Sequence, residues 1–333
     1  MKKLITINKS RSIAAIIVII MLASLLGGCE SAGNAPKKDN GQTISQKDES
    51  SNEINSDEIM SQYNDLLQKS LDSKEVIEFI DKNIGELGKE DADTVILGLE
   101  EFLKGTLSFL EDKYEEANKS EEFSKAFDLD AKPENAEKIN DAELKKLVED
   151  TYEGGFKLYK SEGDVFPSLD YSFIKRYEKY VSDEMKNYID IRSYESDNPF
   201  SDCFIINVPV EEILKRALKT EEHLLKYNNE KDARTLKKSY ELYASYMEAA
   251  IIGSGNALIY SDGESSNIRK EVLDSYKDFV ENNKDTRTAT VLSKYLEVLN
   301  KNNNNLESKD IIDFHSKIFE VLRDNFTELD FMF

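Results

Sequence analysis

The chain has 333 residues, of which 39% are hydrophobic, 33% charged and 10% aromatic, enough for one large or two ordinary domains. With 5 Pro and 14 Gly it is neither collagen-like nor low-complexity, and its 66 acidic against 44 basic residues (net charge −22) argue against nucleic acid as a partner, since phosphate binding needs an excess of Lys and Arg. Two His (His223, His315) and two Cys (Cys29, Cys203) remove most zinc and haem schemes.

Lys2, Lys3, Lys9 and Arg11 form a basic opening with no acid, followed by an apolar run from Ile13 to Leu26 broken only by Ser24. As a helix that run spans roughly 21 Å at about 1.5 Å per residue, short of a hydrocarbon core of about 30 Å. A signal-peptide core fits better than a permanent membrane helix. The run ends in Leu26-Gly27-Gly28-Cys29, which resembles a bacterial lipobox. The resemblance implies a diacylglycerol on the Cys29 sulfur, cleavage before Cys29, and a membrane-attached extracytoplasmic protein. The alternative is an uncleaved anchor or an ordinary secretory signal, and either puts the rest of the chain outside the cytoplasm.

Loss of residues 1–28 takes four of the basic residues and none of the acidic ones, so the mature net charge becomes −26. Cys203 is then the one thiol beyond the anchor, and an internal disulfide is excluded. Beside Phe204-Ile205-Ile206 it reads as a small buried hydrophobe. Residues 29–57 are polar, with Ala32, Ala35, Ile44 and Ile54 the apolar exceptions between Glu30 and Asp57. Such a segment buries too little to offset its ordering entropy and reads as a flexible tether, reaching at most ~100 Å and averaging about 30 Å as a coil.

Beyond it the period is helical. Ile59, Tyr63, Leu66, Leu67 and Leu71 share one face; Asp72 and Glu75 read as a capping box for a second helix with Val76, Ile77, Ile80, Ile84 and Leu87, stopped at Gly88. A third helix from about Ala92 to Ala117 aligns Ile96, Leu99, Leu103, Leu107, Leu110 and Tyr114, with Glu100, Lys104, Glu111 and Glu115 expected on the wet face. Three such helices with short joints predict an antiparallel bundle over 58–154. Residues 128–140, with Pro133, read as a loop; Asn140 and Glu143 read as a second capping box, and Gly154-Gly155 as a helix stop.

The connector 155–208 opens on the one convincing hairpin signal, Phe156–Tyr159, the turn Ser161-Glu162-Gly163-Asp164, then Val165–Pro167. An aromatic-rich helical stretch follows from Leu169 to Ile191, breaking near Ser182. Its Tyr171, Tyr177, Tyr180 and Tyr188 read as core, with a glycan- or peptide-binding platform as the alternative. Asn198-Pro199 marks a loop, Phe204–Val208 a short extended piece, and Pro209 the start of the next helix.

In 209–333 an ungapped comparison at an offset of 55 pairs Leu218 with Leu273, Leu224 with Phe279, Asn228 with Asn283, Thr235 with Thr290 and Tyr240 with Tyr295. Each copy reads helix, polar turn, helix, and the pair resembles divergent tetratricopeptide repeats, although that family's period is about 34. The resemblance implies stacked helical hairpins with Lys309–Phe326 as the capping helix, Ile312, Phe319 and Leu322 facing in. The fold expected is mostly α: a helical bundle, then a helical-hairpin stack, with one small β-hairpin.

No catalytic, metal or cofactor motif emerges. His223 and His315 fit neither HExxH nor a di-iron pattern and read as solvated or capping side chains, and the acidic loops at Asp128 and Asp262 both miss the Gly and terminal Glu of a calcium loop. By the lipobox resemblance Cys29 is the expected lipid attachment point and the one site residue. The function expected is a non-catalytic binding or scaffold role toward an extracytoplasmic polypeptide at the outer face of the cytoplasmic membrane. A solute-binding lipoprotein of a transporter, or an envelope hydrolase or peptidase, is the alternative.

Overall fold

The computed structural model describes residues 49–202, 205–228, 235–253, 259 and 266–324. The lipobox with Cys29, and Cys203, Phe204 and the tail from 325, lie outside them. The fold is mostly α-helical with small antiparallel hairpins, as the periodicity predicts. Three hydrophobic cores lie among the described residues, which form one contact unit.

The first core is built on α1 (Glu49–Lys69), α2 (Ser73–Asn83) and α3 (Lys89–Ala117). α1 begins inside the stretch read as tether. Tyr63 fixes it on α3: its hydroxyl donates to the Val95 carbonyl at 2.8 Å, and the ring lies so close that a Cβ on Gly98 would sit 2.9 Å from the Tyr63 oxygen. Asp72 caps α2 by accepting from the Lys74 N–H, but Glu75 accepts from the Ser70 hydroxyl, so the reciprocal half of the expected box is absent. Gly88 does not stop α2, which ends at Asn83 and passes through a 3-10 turn; it is the residue that opens α3.

A smaller second core gathers Tyr114 and Ala117 of α3, α4 (Glu121–Ala126), a 3-10 turn over Pro133–Lys138 within the expected loop, and α5 (Ala142–Glu153). The α5 cap is Asp141, which accepts from the N–H groups of Glu143 and Leu144; the reading one residue earlier at Asn140 is corrected. β1 (Phe156–Ser161) and β2 (Asp164–Leu169) then pair antiparallel around Glu162 and Gly163, both left-handed at φ 53° and 99°, a geometry whose twist suits a two-residue hairpin. Inward residues Phe156, Leu158, Val165 and Leu169 alternate with the outward pair Tyr159 and Phe166.

The outer edge of β2 is closed by side chains. Asn118 donates its amide to the Val165 carbonyl at 2.9 Å and accepts the Val165 N–H at 3.0 Å, copying a strand neighbour, and Pro167 offers no N–H. The connector is not a separate layer. Leu169, Tyr171, Ile174, Tyr177, Met185 and Tyr188 complete the first core, through α6 (Tyr171–Ile174), a 3-10 turn and α7 (Asp183–Asp197), whose start is capped by Ser182 at the predicted break. Tyr171, Tyr177 and Tyr188 are core, as read, and Tyr180 is half-buried against it.

After a short pair β3 (Ser201–Asp202) and β4 (Ile205–Ile206), the third core is made by α8 (Val210–Tyr227), α9 (Leu236–Ile251), α10 (Lys270–Asn282), α11 (Arg287–Lys301) and α12 (Lys309–Asp324). α8 packs on α9, α10 and α11, and α12 packs on α9 and α11. The first helices of the two copies end in register at the offset of 55, but their partners start at Leu236 and Arg287, 51 apart. The second turn is thus four residues shorter, about one helical turn, so the ungapped comparison still aligned apolar faces. On α12 the inward residues are Ile311, Phe314 and Ile318; Ile312 is 52% exposed, which corrects the expected face by one position, and the side chains of Phe319 and Leu322 lie outside the description.

Replacing Asn118 by Ala leaves the Val165 N–H and C=O without these partners. Unfolding in urea should show a loss of about 1–3 kcal/mol, with the slope of the transition unchanged.

Candidate functional site

α3, 29 residues long, is shared between two cores. Its first half, through Leu103, belongs to the first; Tyr114 and Ala117 belong to the second; Leu110 touches both. Along the stretch between them, the end of α1, the start of α2 and the flank of α5 stand apart, leaving an open groove of about 1100 Å³. Its apolar lining includes Leu71, Phe109, Leu110, Leu144, Leu147 and Phe156. Leu71 is 82% and Phe109 64% exposed. Leu71 was expected on the inward face of the first helix, but α1 ends at Lys69 and the turn carries it out.

The groove rim is charged: four of its eight charged side chains are ion-paired, while Asp72 caps α2 and Glu75 accepts from the Ser70 hydroxyl, neither with a cation. Lys74 reaches Asp150 at 2.6 Å and Glu153 at 3.2 Å, Lys146 reaches Asp150 at 2.6 Å, and Lys69 reaches Asp65 at 2.9 Å. Its hydrogen bond to Asp150, then that to Glu153, holds the Lys74 ammonium above its ordinary range. Lys113 on the α3 wall and Glu143 on the α5 wall have no ion-pair partner among the described residues. Beside the groove residue Thr106, a Cβ on Gly105 would meet nothing within 4 Å, and the Thr106 hydroxyl bonds back to the carbonyls of Phe102 and Leu103, each at 3.1 Å.

A second polar constellation lies one turn earlier on α3. Glu100, expected on the wet face, is only 2% exposed. Its carboxylate accepts from Tyr171 at 2.6 Å and from Tyr188 at 2.9 and 3.1 Å, and pairs with Lys104 at 2.7 Å and Lys238 at 3.2 Å. Arg192 donates to the Tyr171 hydroxyl at 3.0 Å, and Lys238 also pairs with Glu101. Desolvation pushes the Glu100 carboxyl up, but hydrogen bonds from Lys104 and Tyr171, with the charges of Lys104 and Lys238, outweigh it and hold it below the ordinary carboxylate range. The cluster joins α3, α6, α7 and α9.

A third joins α7, α8 and α9. His223 Nδ1 meets Asn187 Oδ1 at 2.8 Å and its Nε2 meets the Thr235 hydroxyl at 3.1 Å, while Glu184 accepts from the Thr235 N–H at 3.3 Å and from its hydroxyl. Hydroxyl, imidazole and amide in a row have the form of a nucleophile, base and orienter. Thr235, however, is 1% exposed and opens α9, so its hydroxyl serves the junction rather than a substrate. His223 is buried in it against the residue that opens α9, which corrects the solvated half of the solvated-or-capping expectation. His315 is half-buried and meets the Tyr295 hydroxyl at 2.8 Å. A related joint lies deeper: Glu221 of α8 accepts the Arg287 and Thr288 N–H groups at 2.7 and 2.9 Å and the Thr288 hydroxyl at 2.7 Å, placing a carboxylate at the positive end of α11.

Among the described residues no group of three or more His, Cys, Asp or Glu is placed to hold a metal ion, and no helix is long and apolar enough to cross a membrane. Cys29 lies outside them. The groove went unread in the sequence although it left a trace. Phe102, Thr106, Phe109 and Lys113 form a second stripe on α3, out of phase with the expected core face. Glu100 was legible too, four residues after Ile96 and three before Leu103, both core. No family model, curated protein or solved structure matches this chain.

Glu100→Ala should cost about 3 kcal/mol in urea unfolding, because it strands Lys104, Lys238 and two tyrosine hydroxyls around an emptied carboxylate site. Burial, with a smaller contribution from the Lys226 charge, pulls His223 down to about 4, and burial alone does the same to His315. Unfolded histidines titrate near 6.5, so between about 6.5 and 4 the unfolded chain binds more protons and stability falls as pH falls. Glu248, held above its ordinary range by desolvation, opposes this at the lower end. His223→Gln should reduce the slope of unfolding free energy against pH near 5.5 by about one proton; an unchanged slope would show that His223 is not buried neutral.

Proposed function

We propose that this chain is a lipid-anchored, extracytoplasmic, non-catalytic binding protein that holds a polypeptide in the groove between α1–α2, α3 and α5. The observation that carries the reading is the groove itself: Leu71 and Phe109 stand out into an open channel of about 1100 Å³ floored by half-buried leucines. Exposed apolar side chains lining a channel with a polar rim are the form of a protein-recognition surface. The tyrosine hydroxyls and histidines of the neighbouring clusters are engaged with internal partners, which suits joints of a scaffold.

The anchoring half of the reading rests on Leu26-Gly27-Gly28-Cys29 after its apolar run. A diacylated Cys29 would hold the body at the outer leaflet, and the net charge of −26 favours basic partners over anionic wall polymers. The helical hairpins of α8–α11, which the tetratricopeptide resemblance supports, would stiffen the body behind the groove.

Two measurements test it. Cys29→Ala should abolish acylation and release the chain from the membrane fraction; a native chain that still begins at Met1 and carries no acyl group would overturn the anchor. Crosslinking in intact cells should give a reproducible polypeptide adduct that Phe109→Glu and Leu71→Glu abolish and Leu129→Glu, an exposed leucine outside the groove lining, leaves in place.

A further inference from the structure

We infer that the occupant of the groove is a cationic amphipathic helix of a partner polypeptide, its apolar face seated on Leu71 and Phe109 and its flanking lysines or arginines set against Asp72, Glu75 and Glu143. This rests on the groove reading above and adds the chemistry of the guest and the side chains that select it.

The charge of the guest is decided by what the groove leaves uncompensated. Lys69 is paired with Asp65, and Lys74 and Lys146 with Asp150 and Glu153. Among the described residues no cation meets the other three carboxylates of the lining, Asp72 and Glu75 at the start of α2 and Glu143 at the start of α5, and all three are exposed. Lys113 on α3 is the one lysine of the lining without an acid. The opening N–H groups of α2 and α5 carry partial positive charge, but each set is already met by its cap, Asp72 and Asp141. Even with Asp72 so engaged, Glu75 and Glu143 outnumber Lys113, and the surplus is negative. The carboxylates also border apolar lining, since Asp72 follows Leu71 and Glu143 precedes Leu144. A guest that buries apolar side chains there brings its flanking residues to them, and a lysine or arginine is what they favour.

The same charge argues against the other occupants. A second copy of a chain of net charge −22 sets acid against acid. Of the chain's terminal segments, residues 29–48 carry three charges of each sign and 325–333 carry only Glu328 and Asp330, so neither supplies a basic surplus; the basic 1–28 is lost in the proposed cleavage. The walls decide the backbone of the guest. The lining consists of helix flanks and the α1–α2 turn, with Phe156 at the start of β1 its one strand residue, so an extended guest finds no strand edge to pair with. A helix satisfies its own backbone and presents apolar and basic side chains in adjoining strips.

The test uses the purified native chain and fluorescein-labelled helical peptides with a common Leu/Ala apolar face and flanking positions that are all Lys, all Gln or all Glu, read by fluorescence anisotropy. At low salt the Lys peptide should bind about fivefold tighter than the Gln peptide, the size of two exposed ion pairs, and the Glu peptide weakest, with the differences narrowing as salt is raised. Glu75→Gln with Glu143→Gln should remove most of the Lys preference, whereas Glu86→Gln with Glu162→Gln, two exposed acids outside the lining, should leave it. The two double variants change the net charge equally, so the comparison separates the groove from the overall field. Lys113→Gln should widen the preference, and Phe109→Gln, which leaves the charge as it is, should weaken all three peptides. Equal losses in the two double variants, or equal affinity for the three peptides while Phe109→Gln still weakens them, would overturn the charge assignment and leave the groove reading standing. No binding, or binding indifferent to Phe109→Gln, would overturn both. A photocrosslinking side chain at Phe109 that reacts in intact cells with the chain's own residues, or with a second copy, would overturn the assignment to a partner helix.

Discussion

A carboxylate held out of water must find cations and donors, or it does not stay ionised, and this requirement fixes the relation between the halves of the molecule. Glu100 finds its partners on four different elements: Lys104 on its own helix, Tyr171 and Tyr188 from the aromatic segment, and Lys238 from α9. Satisfying one side chain thereby sets where α6, α7 and α9 sit against α3. The same logic recurs without lysines where Glu184 and Glu221 take the opening N–H groups of α9 and α11, and again at Glu195, which gathers Arg216 at 2.7 Å, Tyr246 at 2.6 Å and the Phe200 N–H at 2.8 Å. A chain with two cysteines and few histidines has used its commonest ionisable residue as cross-links.

Around those joints, burial does the bulk work. Tyrosine is the characteristic core residue: Tyr63, Tyr114, Tyr188, Tyr243 and Tyr276 are each fully enclosed, and each brings a hydroxyl that needs an acceptor. Val95, Thr151, Glu100, Thr288 and Ala250 meet that need in turn. A ring of this kind gives the apolar area of phenylalanine together with a directional bond, so helices from distant parts of the chain lock at one rotation about their axes.

Apolar periodicity made much of this legible. The faces of α2 and α3, the break before α7, the two-residue turn at Glu162-Gly163 and the capping glycines after α5 all follow from local rules that the tertiary structure did not override. Misreadings arose where a residue sat within one position of a boundary. Asn140 and Asp141 are equally good caps by type, and the backbone chose the second. Ile311 and Ile312 are equally apolar, and packing against α9 and α11 chose the first. Glu100 departs from the expected wet face because its charge points to solvent while its position on the helix, between Ile96 and Leu103, points inward. The groove is harder to read for a different reason: it is a shape made where three elements fail to close, and the stripe through Thr106, Phe109 and Lys113 on α3 marks only one of its walls.

The middle of α3 has one more property. Glycine at 105 removes side-chain support from the exposed side of the helix, and the next residue turns its hydroxyl back on the carbonyls one turn behind. Both features lower the resistance of a helix to bending, and they fall between Leu103, the last fully buried α3 residue of the first core, and Tyr114, the first of the second. The rod is therefore stiff at its ends and elastic at its midpoint. The wall of the channel beside that midpoint is thus the part of α3 least braced against a small flexure.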